Sequence, residues 1–198
     1  MLRVLALCWA VVIAVPSAAS AEWHFTPMVG YTFKGNTTLL DFELAAGKVH
    51  KQVGGAVTLV GSGLFGVEAI TVFTPSFFRN DAAPEILLEH GRSFALMGNV
   101  VLTAPKRWTE YSLRPFVSGG FGLLRASQVD LAGTLPVESN LGGFNIGVGA
   151  VGFLSQRTGL RFDLRYYSSL NRPDQGPVAF GPVHLSYMTA SVGVVLRR

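Results

Sequence analysis

The chain has 198 residues, only 14% of them charged and 49% hydrophobic, well below the roughly 25% charge of an average soluble domain. Its 14 Phe, 5 Tyr and 3 Trp exclude a disordered chain, and 23 Gly and 10 Pro scattered through the apolar stretches exclude a helix bundle. The formal net charge of +4 is spread thinly, without the polybasic run that would mark a nucleic-acid partner, so an all-β protein with an apolar exterior or a very large core remains.

The first element is not part of the fold. Met1 to Ala21 opens with Arg3, continues apolar from Val4 to about Val15, and ends in the small residues Ala18-Ala19-Ser20-Ala21. That is the pattern of a secretory signal cleaved after Ala21, and its apolar stretch is short of the ~20 residues a helical anchor requires. Cleavage leaves a single domain over 22–198, lowers the net charge to +3 by removing Arg3, and takes away Cys8, the one cysteine. Disulfides, thiol catalysis and cysteine metal sites leave with it.

Strands follow, recognised by period-two alternation. In the first, 22–33, Trp23, Phe25, Pro27, Val29, Tyr31 and Phe33 share one face, and His24, Thr26, Met28, Gly30 and Thr32 the other. Strands at 51–60, 64–78 and 93–104 come next; in 64–78, Glu68 stands opposite Phe65, Val67 and Phe73. In 113–125, Leu113, Pro115, Val117, Phe121 and Leu123 oppose Arg114, Ser118, Gly120 and Gly122. In 140–154, Phe144, Ile146, Val148 and Ala150 oppose Gly143, Asn145, Gly147 and Gly149. In 160–168, Leu160, Phe162, Leu164 and Tyr166 oppose Arg161, Asp163, Arg165 and Tyr167, and in 186–197 Met188, Ala190, Val192, Val194 and Leu196 oppose Tyr187, Thr189, Ser191 and Gly193.

Eight strands, with long connections at 34–50, 79–92, 126–139 and 169–185 and shorter ones at 61–63, 105–112 and 155–159, predict an all-β, eight-stranded antiparallel up-and-down transmembrane barrel. Two rivals are weaker. A membrane helix over Ser139–Gln156 is crowded with glycines and alternates. A soluble lipocalin-like barrel would turn the apolar set inward and leave glycine, serine and asparagine to face water with few charges. The same small set suits the narrow interior of a membrane barrel.

Four segments carry a resemblance: EWHFTPMVGYTF at the start, FGVEAITVFTPSFF at 65–78, RPFVSGGFGLLR at 114–125 and GLRFDLRYY at 159–167. They resemble the small eight-stranded outer-membrane β-barrel proteins of Gram-negative bacteria, of the OmpA, OmpX and OmpW type, over essentially the whole mature chain. One departure is the end, Leu196-Arg197-Arg198, where the family carries a terminal aromatic residue. The resemblance implies the cell outer membrane as location. It implies outer-membrane lipid, lipopolysaccharide and the barrel-assembly machinery as partners, and leaves the oligomeric state open with a monomer favoured. It also implies either a structural or surface-interaction role, or passage of small, apolar solutes as for OmpW-type proteins.

Charges facing hydrocarbon are costly, so Glu68, Arg114, Arg161, Asp163 and Arg165 are expected to point inward and pair, plugging the lumen. Trp23, Tyr31, Phe33, Phe77, Phe78, Trp108 and Tyr111 are expected to form the interfacial aromatic girdles. An enzyme is not expected. The stretch 165–171 resembles the strand of lipid A deacylases, but a tyrosine replaces the catalytic histidine, leaving Ser168 without a general base; His24, His50, His90 and His184 lie elsewhere. No metal-ligand spacing and no cofactor motif is present. Gly119-Gly120-Phe121-Gly122 precedes no helix and reads as relief of crowding inside a tight barrel rather than a phosphate loop.

Overall fold

In the computed structural model the described residues are 21–37, 49–61, 63–75, 92–104, 109, 113–128, 137–170 and 185–198. They form eight antiparallel strands: β1 (Glu22–Thr37), β2 (His50–Val60), β3 (Phe65–Thr74), β4 (Arg92–Thr103), β5 (Leu113–Gln128), β6 (Val137–Phe153), β7 (Thr158–Ser169) and β8 (Leu185–Arg197). Each pairs with its neighbours in sequence, and β1 closes on β8 to complete the barrel. Closure removes the free edges that would otherwise expose unpaired backbone. The expected signal segment lies outside the described residues, except Ala21.

The strands alternate over most of their length, except where β7 and β8 meet at the long-connection end and 167–169 and 185–187 are buried consecutively. Phe25, Val29, Val67, Val100, Val117, Phe121, Ile146, Phe162, Leu164 and Val194 are exposed on the outer wall, while the residues between them are buried inside. This polarity is the reverse of a lipocalin-like barrel. The segment at 139–156 belongs largely to β6, and among the described residues no helix is long and apolar enough to cross a membrane.

The expected boundaries shift where pairing overrides local composition. β3 stops at Thr74, before Pro75, instead of at 78; 76–78 lie outside the described residues. β5 and β6 run past their expected ends, pairing as far as Gln128↔Val137. Their connection shrinks to 129–136, no longer than the one at 104–112, so the alternation of long and short connections is less regular than expected. An antiparallel ladder satisfies backbone groups with or without surrounding lipid, so nothing stops these two strands at a membrane boundary. A bulge between Phe33 and Asn36, with Lys34 at φ 51°, extends β1 beyond its expected end at 33.

The start of β1, the C-terminal Arg198 and the connections after β2, β4 and β6 lie at one end of the barrel. The start of β1 and the C-terminus are tied there by reciprocal hydrogen bonds, 3.1 Å from Trp23 N to Arg198 O and 2.9 Å from Arg198 N to Trp23 O. This arrangement predicts one orientation for an outer-membrane barrel. In intact cells, a cysteine introduced by Asp174→Cys should react with an impermeant thiol reagent and one introduced by Gln156→Cys should not. The opposite labelling would invert the barrel.

Candidate functional site

The described residues of the lumen form a stack of three layers. The middle layer begins with β7, on which alternate residues lie on one face roughly 6.6 Å apart. Arg161, Asp163 and Arg165 therefore project inward in a row with the carboxylate between the two guanidinium groups. Asp163 Oδ2 accepts from Arg161 Nη2 at 2.6 Å and from Arg165 Nη2 at 3.0 Å, and Asp163 Oδ1 accepts from Arg165 Nε at 3.2 Å.

Glu68 completes the group from the far wall. β3 stands four places from β7 in the closed ring of eight, so contacts between them cross the full width of the lumen. Glu68 Oε2 pairs with Arg161 Nη1 at 2.5 Å, and Glu68 Oε1 accepts from Arg165 Nη2 at 2.9 Å. Each acid thus bridges both arginines, and positive and negative groups alternate around the quartet. All four residues are at most 5% exposed.

Neutral side chains satisfy what the ions leave. Thr58 and Asn99, the ladder neighbours of Glu68, donate to it at 3.2 and 3.0 Å. Asn145 donates to Asn99 Oδ1 at 2.7 Å and accepts from Arg165 Nη1 at 2.8 Å, so a chain of hydrogen bonds runs from β6 through β4 to β3. Alternation puts Asn145 on the inner face but does not single out any of the three as a partner of the ions; for Asn99 and Thr58 the sequence signal is only their inward phase, in strands that carry no inward arginine.

Room for the guanidinium groups comes from missing side chains. Gly147 is the ladder partner of Arg165, and a Cβ there would come within 3.0 Å of both Arg165 Nε and Ser118 Oγ. At Gly149, opposite Asp163, a Cβ would run into the Phe116 ring, over which the Arg161 guanidinium lies at 4.5 Å. The crowding expected at 119–122 is present at Gly120 and Gly122, where a Cβ would collide with the Gly98 and Leu96 carbonyl oxygens, and absent at Gly119, where it would make only ordinary contact.

Above the quartet, toward the longer connections, lies an apolar layer of Met28, Ile70, Val72, Met97, Leu124 and Leu185 with the stacked pair Tyr167 and Tyr187, whose ring centres are 5.0 Å apart. Below it, toward the short turns, lies a smaller layer with His24, Arg114, Phe116 and Val195.

Arg114 requires a correction. It faces the lumen and is buried, but it does not join the quartet; its Nε donates instead to the Ala104 carbonyl oxygen at 3.1 Å. Both buried carboxylates already accept from both Arg161 and Arg165, and a third guanidinium at the same acids would meet like charge without a free acceptor. Of the expected girdle residues, Trp23 is exposed at the short-turn end, where it stacks on Phe25, and Tyr31 and Phe33 lie at the other end, Phe33 half-buried. Phe77, Phe78, Trp108 and Tyr111 lie outside the described residues. Ser168 is buried at the long-connection end. His24 is at the opposite end, His50 is on β2 three strands away around the ring, and His90 and His184 are outside the described residues. Among the described residues no group of three or more metal-binding side chains is present.

No protein-family model and no curated protein sequence matches the chain. Solved structures do. Neisserial surface protein A is 13% identical with a TM-score of 0.54, covering 88% of this chain and 97% of its own. Ail, the attachment invasion locus protein of Yersinia pestis, crystallised with the heparin analogue sucrose octasulfate, is 10% identical with a TM-score of 0.56, covering 90% and 99%. A major outer membrane protein from Thermus thermophilus is 14% identical with a TM-score of 0.56, covering 90% and 100%. With eight antiparallel strands closed in sequence order, an apolar outer wall and these structural relatives, the chain has the fold of the small eight-stranded outer-membrane β-barrels.

Proposed function

We propose that this protein is an outer-membrane barrel with a closed lumen, acting as a structural or surface-interaction protein rather than as a pore or an enzyme. The observation that carries this reading is the Glu68–Arg161–Asp163–Arg165 quartet, whose ion pairs join β3 to β7 across the whole width of the lumen. The apolar layer above it adds a second obstruction, since an ion passing there would lose its hydration without gaining polar partners. With the interior committed to packing, the outer wall would meet lipid, and the long connections would meet lipopolysaccharide or surface partners. Assembly would depend on the barrel-assembly machinery. The fold shared with an attachment invasion locus protein is in keeping with a surface role.

Planar-bilayer recordings of the refolded wild type test the reading. The expected result is a silent bilayer. Reproducible unitary currents would replace the closed lumen with a narrow solute path.

A further inference from the structure

The lower layer of the lumen carries a charge that the quartet does not balance. Three arginines are buried among the described residues, Arg114, Arg161 and Arg165, against two buried carboxylates, Glu68 and Asp163. The quartet is neutral in itself, so the surplus positive charge belongs to Arg114. Glu22, the acid at this end among the described residues, attracts Arg114, but its Oε2 lies 3.4 Å from Arg197 Nε and 3.6 Å from His24 Nε2, so its charge is divided. A buried cation without its own counter-charge is costly to hold.

Beside Arg114 is a narrow internal cavity of about 30 Å³. Arg114, Arg161, His24, Thr26, Thr58 and Thr103 form its polar lining, and no carboxylate of the described residues lines it. Four of these residues bring a buried polar atom without a hydrogen-bond partner: Arg114 Nη2, Arg161 Nε, His24 Nε2 and Thr26 Oγ1. Arg114, Arg161 and Thr26 are 4%, 3% and 2% exposed, so solvent outside the barrel does not supply the missing partners. Two guanidinium groups with an unused donor each, and the Thr26 hydroxyl, which can turn to donate, thus line a space large enough for a water or two. A water would satisfy donors without supplying charge. An anion does both, and its hydrogen bonds to guanidinium groups are of the strong, charge-assisted kind.

We propose that this cavity is a binding site for one small inorganic anion of halide size, held by Arg114 and Arg161 beneath the ionic quartet. The short-turn end provides its entry. A wider hollow of about 550 Å³ opens there, and Arg114 and Phe153 line both it and the inner cavity. Arg197 borders this hollow and, with Arg157 and Arg198, a second one at the same rim. A mouth of this sign concentrates anions ahead of the site.

The test uses chloride and bromide on the whole refolded barrel. In urea titrations where sodium chloride replaces sodium gluconate at constant ionic strength, the wild-type midpoint is expected to rise saturably with chloride. Arg114→Gln is expected to lose that response. Crystals of the wild type soaked in sodium bromide are expected to show anomalous scattering beside Arg114 inside the cavity, a result that does not depend on any variant folding. Bromide found only at the rim arginines, or nowhere, would overturn the proposal, as would identical wild-type midpoints in chloride and gluconate.

Discussion

Glu68→Ala is expected to destabilise the barrel by about 3–5 kcal/mol, the usual cost of leaving a buried charge without its partner. Glu68 accepts from Arg161, Arg165, Asn99 and Thr58 together. Its loss leaves one carboxylate between two guanidinium groups and removes the acceptor from two neutral donors. Asp163→Ala is expected to cost somewhat less. It strips both arginines of one acceptor, but Arg165 keeps Glu68 and Asn145, and Arg161 keeps Glu68. Urea titration, followed by the gel-mobility difference between folded and boiled protein, measures both variants. Replacing all four charges with apolar side chains of similar volume should cost less than either single substitution, because no unpaired ion is left. If single removals change stability little but alter bilayer current, water fills the gap, and the lumen is a hydrated path rather than a plug.

Leu164→Arg is expected to cost about 2–4 kcal/mol, the penalty for a cation on the lipid face near the bilayer midplane. Leu164 sits midway along β7, is exposed on the outer wall, and pairs with Val148 and Ala190, which face the same way. Leu196→Arg provides the control. Leu196 is equally outward but close to the chain end at the short-turn rim, where a long cationic side chain reaches the interface at about 0–1 kcal/mol. The same urea titration in lipid vesicles reads the difference. Equal costs at the two positions would mean that the outer wall does not lie across a bilayer.

Much of this architecture was legible without coordinates because it is local. In a strand, the side of the wall a residue faces depends only on whether its position is odd or even along its own segment. The row Arg161-Asp163-Arg165 against Leu160-Phe162-Leu164 therefore declared its inward and outward faces by itself, as did Glu68 between Val67 and Ala69. Boundaries were less legible, as the extended pairing of β5 with β6 shows. There the ladder, rather than the residue types at the strand ends, decides where the strand stops.

Composition and alternation by themselves determined the all-β class, the strand count, the apolar exterior and the inward direction of every charge now found in the lumen. Only the closed barrel decided which of those charges meet. Glu68 reaches Arg161 and Arg165 because closure sets β3 opposite β7, a relation fixed by the summed registers of the strands between them and by no one strand. The same sum brings Asn99 and Asn145 to the quartet and leaves Arg114 in a layer of its own, beside a cavity lined by donors. Periodicity can state that a side chain points inward. Its height in the lumen, and so its partner, depends on how far each strand is displaced along its neighbours around the whole ring.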